Sequence, residues 1–300
     1  MSRVDEVRER LNKYLEENPN IPAREVSSAV GYSTGAISSF RKGTYQGKAE
    51  EVADKVSRVL DVWDEEAKHG YRMRVFETRN FVKTRNTLNR ALSYDGIAVI
   101  VGDNGVGKTV AAKAYAKQTD SVFIEAHPGY SPKALCIAIS RALGLSETRL
   151  INEMVDTIVE GAPARLVIID EAENLPIHTL NMARRIHDMS RLKLALLGSH
   201  ELRSNLLNRK STHKYIVGRI GLFETLGNLS LPEIYDILEA YPFKSDAKVR
   251  EKLVQYSGMN FRTLANLLRL INDYCRKKSS DSIALSDVEN ARDRVLIVTR

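Results

Sequence analysis

The sequence predicts an α/β protein, a parallel sheet wrapped by helices with all-α segments on either side. Three observations lead there. Between residues 96 and 199 four short apolar runs (GIAVIVG, SVFIEA, RLVIID and LKLALLGS) alternate with helical stretches. Runs that are apolar throughout, rather than at every second position, mark strands buried on both faces, as in a sheet covered by crossover helices. Before residue 70 and after Pro232 the apolar positions recur at helical spacing instead.

The N-terminal segment reads as four helices. Val4, Val7, Leu11 and Leu15 line the first. Pro22 opens the second, with Val26 and Val30 facing inward and small Ser27 where two helices approach. Gly31 turns the chain, Ser33 caps the third helix, and Ile37 and Phe40 bury it. Gly43 and Gly47 end it, and Val52, Val56, Val59, Leu60 and Trp63 share a face of the fourth. This pattern is that of a helix-turn-helix domain over residues 1–69. Residues 64–80 are polar and include Gly70, so a linker is expected at 70–93, an α/β core at 94–230 and a helical domain at 231–300. Within these, Ser131-Pro132 and Ser146 mark helix starts, Ser245 caps a later helix, and Ser286 with Glu289 forms a capping box.

Composition sets limits. With 43% hydrophobic and 28% charged residues the chain has enough apolar side chains for a core, and no apolar run is long enough to span a bilayer. The first residues lack the apolar stretch of a signal peptide, and Cys136 and Cys275 are too few and too separate for a zinc site or a disulfide framework. A cytoplasmic location with reduced thiols is expected. Net charge is +7, unevenly spread: residues 1–70 carry 11 Lys and Arg against 13 Asp and Glu, whereas residues 240–300 carry 12 against 7. An electrostatic grip on nucleic acid would therefore lie mainly outside the N-terminal helices.

The chemistry concentrates in two motifs. Gly102-Asp103-Asn104-Gly105-Val106-Gly107-Lys108-Thr109 follows an apolar strand and opens a helix, the context in which this spacing binds phosphates. The glycines let backbone N–H groups turn toward phosphate oxygens, and the helix start adds its positive end. Lys108 supplies a charge for the β- and γ-phosphates of ATP, and Thr109 a hydroxyl for Mg²⁺. The second motif is Asp170-Glu171, after Leu166-Val167-Ile168-Ile169. Asp170 emerges at the carboxyl edge of the sheet, where it is placed to hold Mg²⁺, and Glu171 to polarise an attacking water. Acidic residues that complement a helix start are the alternative reading. A third strand ends at Gly198-Ser199-His200, where Ser199 or His200 would sit beside the γ-phosphate or cap the next helix.

These motifs, with the C-terminal stretch GMNFRTLANLLRLI, resemble the AAA+ superfamily. The resemblance implies an AAA+ P-loop core with a helical lid and an ATPase. Arg262 matches the lid arginine that contacts nucleotide in its own subunit. Arg219, in VGRIG, lies where an arginine finger acting on a neighbouring subunit is expected, with Arg184 and Arg185 as rivals and a surface ion pair as the alternative. The helix-turn-helix STGAISSFRKGTYQG ahead of this ATPase is similar to the family of the phage Mu B transposition protein, DNA-binding ATPases that capture target DNA and activate a transposase. That likeness implies a homo-oligomer, an ATP-dependent helical filament on double-stranded DNA, and a DDE-type transposase as partner. Lys133 would meet phosphates first and Arg165 less so; Arg41 and Lys42 end the third helix, and Arg276, Lys277 and Lys278 offer a further basic surface. Thr34, Gly35, Ala36, Ser38 and Ser39 discriminate bases poorly, so sequence-tolerant binding is expected. A helicase loader or replication initiator, and a transcriptional regulator switched by ATP, are the alternatives.

Overall fold

The computed structural model describes residues 2–17, 21, 23–68, 75–207 and 214–295. The chain forms two compact units, Met1–Met73 and Arg74–Arg300.

The N-terminal unit contains α1 (Arg3–Glu17), α2 (Ala23–Val30), α3 (Thr34–Arg41) and α4 (Ala49–Lys68). Its core is the predicted one: Val7, Leu11, Val26, Val30, Ile37, Phe40, Val52, Val56, Leu60 and Trp63 are buried together, with Tyr14 stacked 5.3 Å from Trp63. Gly31 takes a φ of +76°, and the Ser33 hydroxyl accepts the Ala36 N–H at 3.2 Å, so turn and cap stand where the sequence put them. Ser27 is buried, its hydroxyl 3.4 Å from that of Thr34. Pro22, read as the opening of α2, lies outside the described residues. Residues 64–68, read as polar linker, continue α4.

The second unit holds α5 (Arg79–Ser93), β1 (Ile97–Gly102), α6 (Lys108–Gln118), β2 (Val122–Glu125), α7 (Pro132–Leu143), α8 (Ile151–Gly161), β3 (Leu166–Asp170) and, after a 3₁₀ turn (Ala172–Asn174), α9 (Ile177–Met189). It continues with β4 (Lys193–Gly198), α10 (His200–Leu207), α11 (Lys214–Val217) and β5 (Ile220–Leu226), then α12 (Leu231–Glu239), α13 (Ala247–Ser257), α14 (Phe261–Lys277) and α15 (Leu285–Arg294). Among the described residues the strands form one sheet in the order β2-β3-β4-β1-β5, every pair parallel. The order reverses beside β1, the switch point where open α/β sheets bind ligands.

Alternate residues of each strand serve opposite layers. Val99, Val101, Ile124, Ile169 and Leu196 pack beneath α7, α8 and α9. Ala98, Ile100, Ile168, Ala195 and Leu197 pack against α5 and α6. The helix α5 corrects the expected linker at 70–93. Thr78 caps it, and Asn80, Phe81, Thr84, Thr87, Leu88 and Ala91 form its buried face. Three of those six are polar, which is why apolar periodicity does not reveal the helix. The sequence pattern also shows no counterpart of β5. Its burial alternates, with Leu222 and Leu226 inward and Phe223 outward, so it lacks the continuous apolar run of its neighbours.

Three helix starts shift. Asp246, not Ser245, caps α13, and Ser245 receives Arg250 instead. Asp287, buried and paired with Lys278, accepts the Ala284 N–H, so α15 starts one residue before Ser286 and uses no Ser286/Glu289 box. The helix read as starting after Ser146 begins at Ile151.

Candidate active site

A cleft of about 390 Å³ opens at the carboxyl edge of the sheet. The loop from β1 to α6 forms its floor, the ends of β3 and β4 one wall, and the start of α14 the other. Its lining brings together Asn104, Gly105, Gly107, Lys108 and Thr109 with Asp170, Glu171 and Arg262, residues that the sequence placed in one site. Gly102, Asp103 and Val106 belong to the same loop. Gly105 and Gly107 have φ of +85° and +99°, backbone that residues with a Cβ adopt at a cost. A Cβ on Gly105 would also lie 2.5 Å from Asn260 Oδ1, so this position has neither conformational nor steric room for a side chain.

Lys108 begins α6 and is 8% exposed. Its ammonium donates to the carbonyls of Gly102 (2.7 Å) and Asp103 (2.9 Å). Burial pulls its pKa below the ordinary lysine value, against the pull of Asp170, Glu173 and Asp103. Asp170 ends β3 at 1% exposure. Burial pushes its carboxyl up, while the Thr109 hydroxyl beside it, the Glu171 N–H and Lys108 draw it back. Both groups are thus held where their charged forms are poorly solvated, a state that a phosphate and a cation would relieve.

Glu171 takes a left-handed backbone (φ 53°), unusual for a glutamate. Its carboxylate accepts from Asn174 Nδ2 at 3.2 Å, which fixes its direction at the cleft. In the sequence Glu173 is only an acidic residue near a helix start. In the fold its Oε1 accepts the Ser199 N–H at 3.0 Å and its Oε2 is buried without a partner among the described residues. The Ser199 hydroxyl accepts the Glu201 N–H at 3.2 Å, the capping geometry, and Ser199 is not part of the cleft lining. His200 Nε2 lies 3.6 Å from Asp103 Oδ1 at the loop's edge.

Arg219 lies apart from these groups. It is half exposed and its Nε donates to Asp188 Oδ1 at 3.0 Å, while Arg184 binds the other oxygen of Asp188 at 2.5 Å. Arg185 is exposed. Of the candidate phosphate contacts, Lys133 is exposed at the start of α7 and forms no ion pair among the described residues. Arg165 is paired with Asp120, and Lys278 with Asp287. In the N-terminal unit Arg41 Nε donates to Asn12 Oδ1 at 2.9 Å, whereas Lys42 is exposed.

Asn80 and Asn260 are not singled out by the sequence. Asn80 Nδ2 donates to the carbonyls of Val106 (3.1 Å) and Gly227 (2.7 Å), and Asn260 Nδ2 to that of Asn104 (2.7 Å). The only signal for Asn260 is its place as an N-cap before Phe261-Arg262.

Asp170 Oδ2 is buried with no hydrogen-bond partner among the described residues, and the Thr109 hydroxyl lies beside the same carboxyl. These hard oxygen donors fit Mg²⁺. Among the described residues no group of three or more His, Cys, Asp and Glu could hold a metal ion by itself.

Comparison with known proteins agrees with the geometry. Residues 90–206 match the family model described as AAA domain. The chain is 27% identical over 266 residues to the ATP-dependent target DNA activator B of Escherichia phage Mu, covering 85% of each chain. It is 22% identical over 262 residues to the Mu-like prophage FluMu DNA transposition protein B of Haemophilus influenzae, covering 83% of this chain and 91% of that one. Among solved structures, the Aeropyrum pernix ORC2 protein superimposes with a TM-score of 0.55 at 19% identity, over 76% of this chain and 69% of that one. The Thermotoga maritima RuvB Holliday junction branch migration motor does so at 0.51 and 16% identity, over 72% and 68%. These structures share the AAA+ fold, a P-loop core around a parallel sheet.

Proposed function

We propose that the chain is an ATPase that captures target DNA in an ATP-dependent way and activates a transposase, on the strength of its AAA domain match and its similarity over most of its length to the B proteins of Mu and Mu-like phages. The observation that carries this reading is the extent of the likeness, 85% of both chains, which is more than an ATPase core alone would give.

In this reading the loop Gly102–Thr109 cradles the phosphates, and Lys108, whose ammonium sits at the Gly102 and Asp103 carbonyls, meets the β- and γ-phosphates. Thr109 and Asp170 hold Mg²⁺, which when bound neutralises phosphate charge. Glu171, oriented by Asn174, accepts a proton from the water that attacks the γ-phosphate. Arg262 contacts nucleotide from the helical lid formed by α12 to α15, and it already lines the cleft. Arg219 is not among the residues that line its own cleft and would serve as a finger for a neighbouring subunit, leaving Asp188 to do so. Ser199 is engaged as a helix cap, so a sensing role falls more naturally to His200 or to the Ser199 backbone held by Glu173.

ATP-bound subunits would polymerise on duplex DNA with Lys133 toward the phosphates, and hydrolysis would release them. Binding through phosphates is insensitive to sequence and strongly dependent on salt. The helix-turn-helix would assist, because Arg41 is tied to Asn12 and α3 offers small side chains. Electron microscopy of the protein on duplex DNA with ATP or ADP tests this directly. Filaments with ATP and none with ADP are expected; a closed ring, with a helicase retrieved as partner, would move the reading to a loader. Glu171→Gln is expected to bind ATP, hydrolyse it at least about a hundredfold more slowly and stay longer on DNA. Unchanged turnover would remove Glu171 from that role.

A further inference from the structure

Five consecutive carbonyls of the phosphate loop each have a donor. Those of Gly102 and Asp103 accept from Lys108 Nζ, at 2.7 and 2.9 Å. The Asn104 carbonyl accepts from Asn260 Nδ2 at 2.7 Å, that of Gly105 from the Arg262 N–H at 3.2 Å, and that of Val106 from Asn80 Nδ2 at 3.1 Å. A peptide unit is planar and trans, so each carbonyl points opposite to the N–H of the next residue. Anchoring these five carbonyls therefore fixes the direction of the N–H groups of residues 103 to 107, and turns them away from the anchoring donors.

Lys108 has three donors, two of them on the carbonyls of Gly102 and Asp103, and phosphates would compete for all three. The other anchors come from outside the loop and face no such competition. Asn80 is buried at the start of α5 and uses both amide hydrogens, one on Val106 and one on Gly227, the residue that follows β5. Asn260 divides its amide differently: Oδ1 caps α14 by accepting the N–H groups of Arg262 and Thr263, and Nδ2 holds Asn104.

We propose that Asn80 and Asn260 are positioning residues for nucleotide binding, holding the phosphate loop in its N–H-donating shape when Lys108 is drawn to the phosphates. Asn80 joins the loop to the segment between β5 and α12, and Asn260 joins it to α14, so the C-terminal helices and the loop conformation are coupled. The inference rests on the reading of the cleft as the nucleotide site.

The test separates positioning from simple structural support. Asn260→Ser keeps an oxygen for the cap of α14 and loses only the donor to Asn104. Asn80→Leu keeps the approximate shape and loses both donors. Each variant is measured, in the full chain, for ATP and ADP affinity with a fluorescent nucleotide and for melting temperature without nucleotide. Both variants are expected to weaken ATP and ADP about tenfold, the scale of one well-placed hydrogen bond lost. Asn260→Ser is expected to do so with an unaltered melting temperature. Affinities within about twofold of the parent, with or without a lower melting temperature, would overturn the proposal and leave the two residues a structural role. A parent chain that binds no nucleotide would overturn the assignment of the cleft itself.

Discussion

At the scale of single residues, burial sets the chemistry. Lys108 and Asp170 are both drawn away from their ordinary pKa values, in the directions that disfavour their charges, so each gains when an opposite charge enters the cleft. Nucleotide should accordingly stabilise the protein. At a ligand concentration of about 100 times Kd the gain is about 2.7 kcal/mol, read as a rise in melting temperature that Lys108→Ala abolishes. Cys136 is the contrasting case, a buried group with no ligand to relieve it. Burial pushes its thiol from 9.0 up to about 11. A raised acid pKa means that the stabilising neutral form is fully present below the ordinary thiol value and is lost as pH rises through about 11. In the native protein at about pH 8 roughly a thousandth of this thiol is ionised, so alkylation there should be far slower than in denaturant. Equal rates would show that Cys136 is reached by solvent.

At the scale of elements, the loop between β1 and α6 separates two kinds of glycine requirement. Gly107 has a φ of +99° with nothing within 4 Å of where a Cβ would stand, so Gly107→Ala strains only the backbone, at about 1–2 kcal/mol. Gly105→Ala adds collisions at 2.5 Å with Asn260 Oδ1 and 2.7 Å with Arg262 Cβ. Nucleotide affinity should therefore fall further for Gly105→Ala than for Gly107→Ala, and titration of the two variants with ATP ranks them. The same loop is legible in the sequence because glycines and a lysine at fixed spacing between strand and helix encode local geometry. The helix α5 is not. Its buried Asn80, Thr84 and Thr87 look like linker residues until the sheet and the loop that receive them are in place. The strand β5 is hidden in a related way: with only one apolar residue in two buried, it has the pattern of an edge.

At the scale of the whole molecule, the net charge is uneven, slightly acidic over residues 1–70 and basic over residues 240–300. Deleting residues 1–69 is expected to weaken DNA binding modestly, by less than about tenfold, and to leave nucleotide affinity intact. Filter binding at several salt concentrations checks this, and a complete loss of DNA binding would make the N-terminal helices the main contact. No helix among the described residues is long and apolar enough to cross a membrane. The sequence by itself determined the four buried strands, the helical bundle of the first unit and the glycine-rich loop between β1 and α6, because periodicity and glycine placement are local properties of the chain. Only the tertiary structure decided which distant side chains serve that loop. Asn80 and Asn260 acquire their roles from carbonyls far away in the chain, and a hydrogen bond across such separations leaves no spacing to read. It also shows the Ser199 hydroxyl on a helix cap and Arg219 paired with Asp188, contacts that no spacing in the sequence encodes, since each polar atom takes the partner that folding brings within reach.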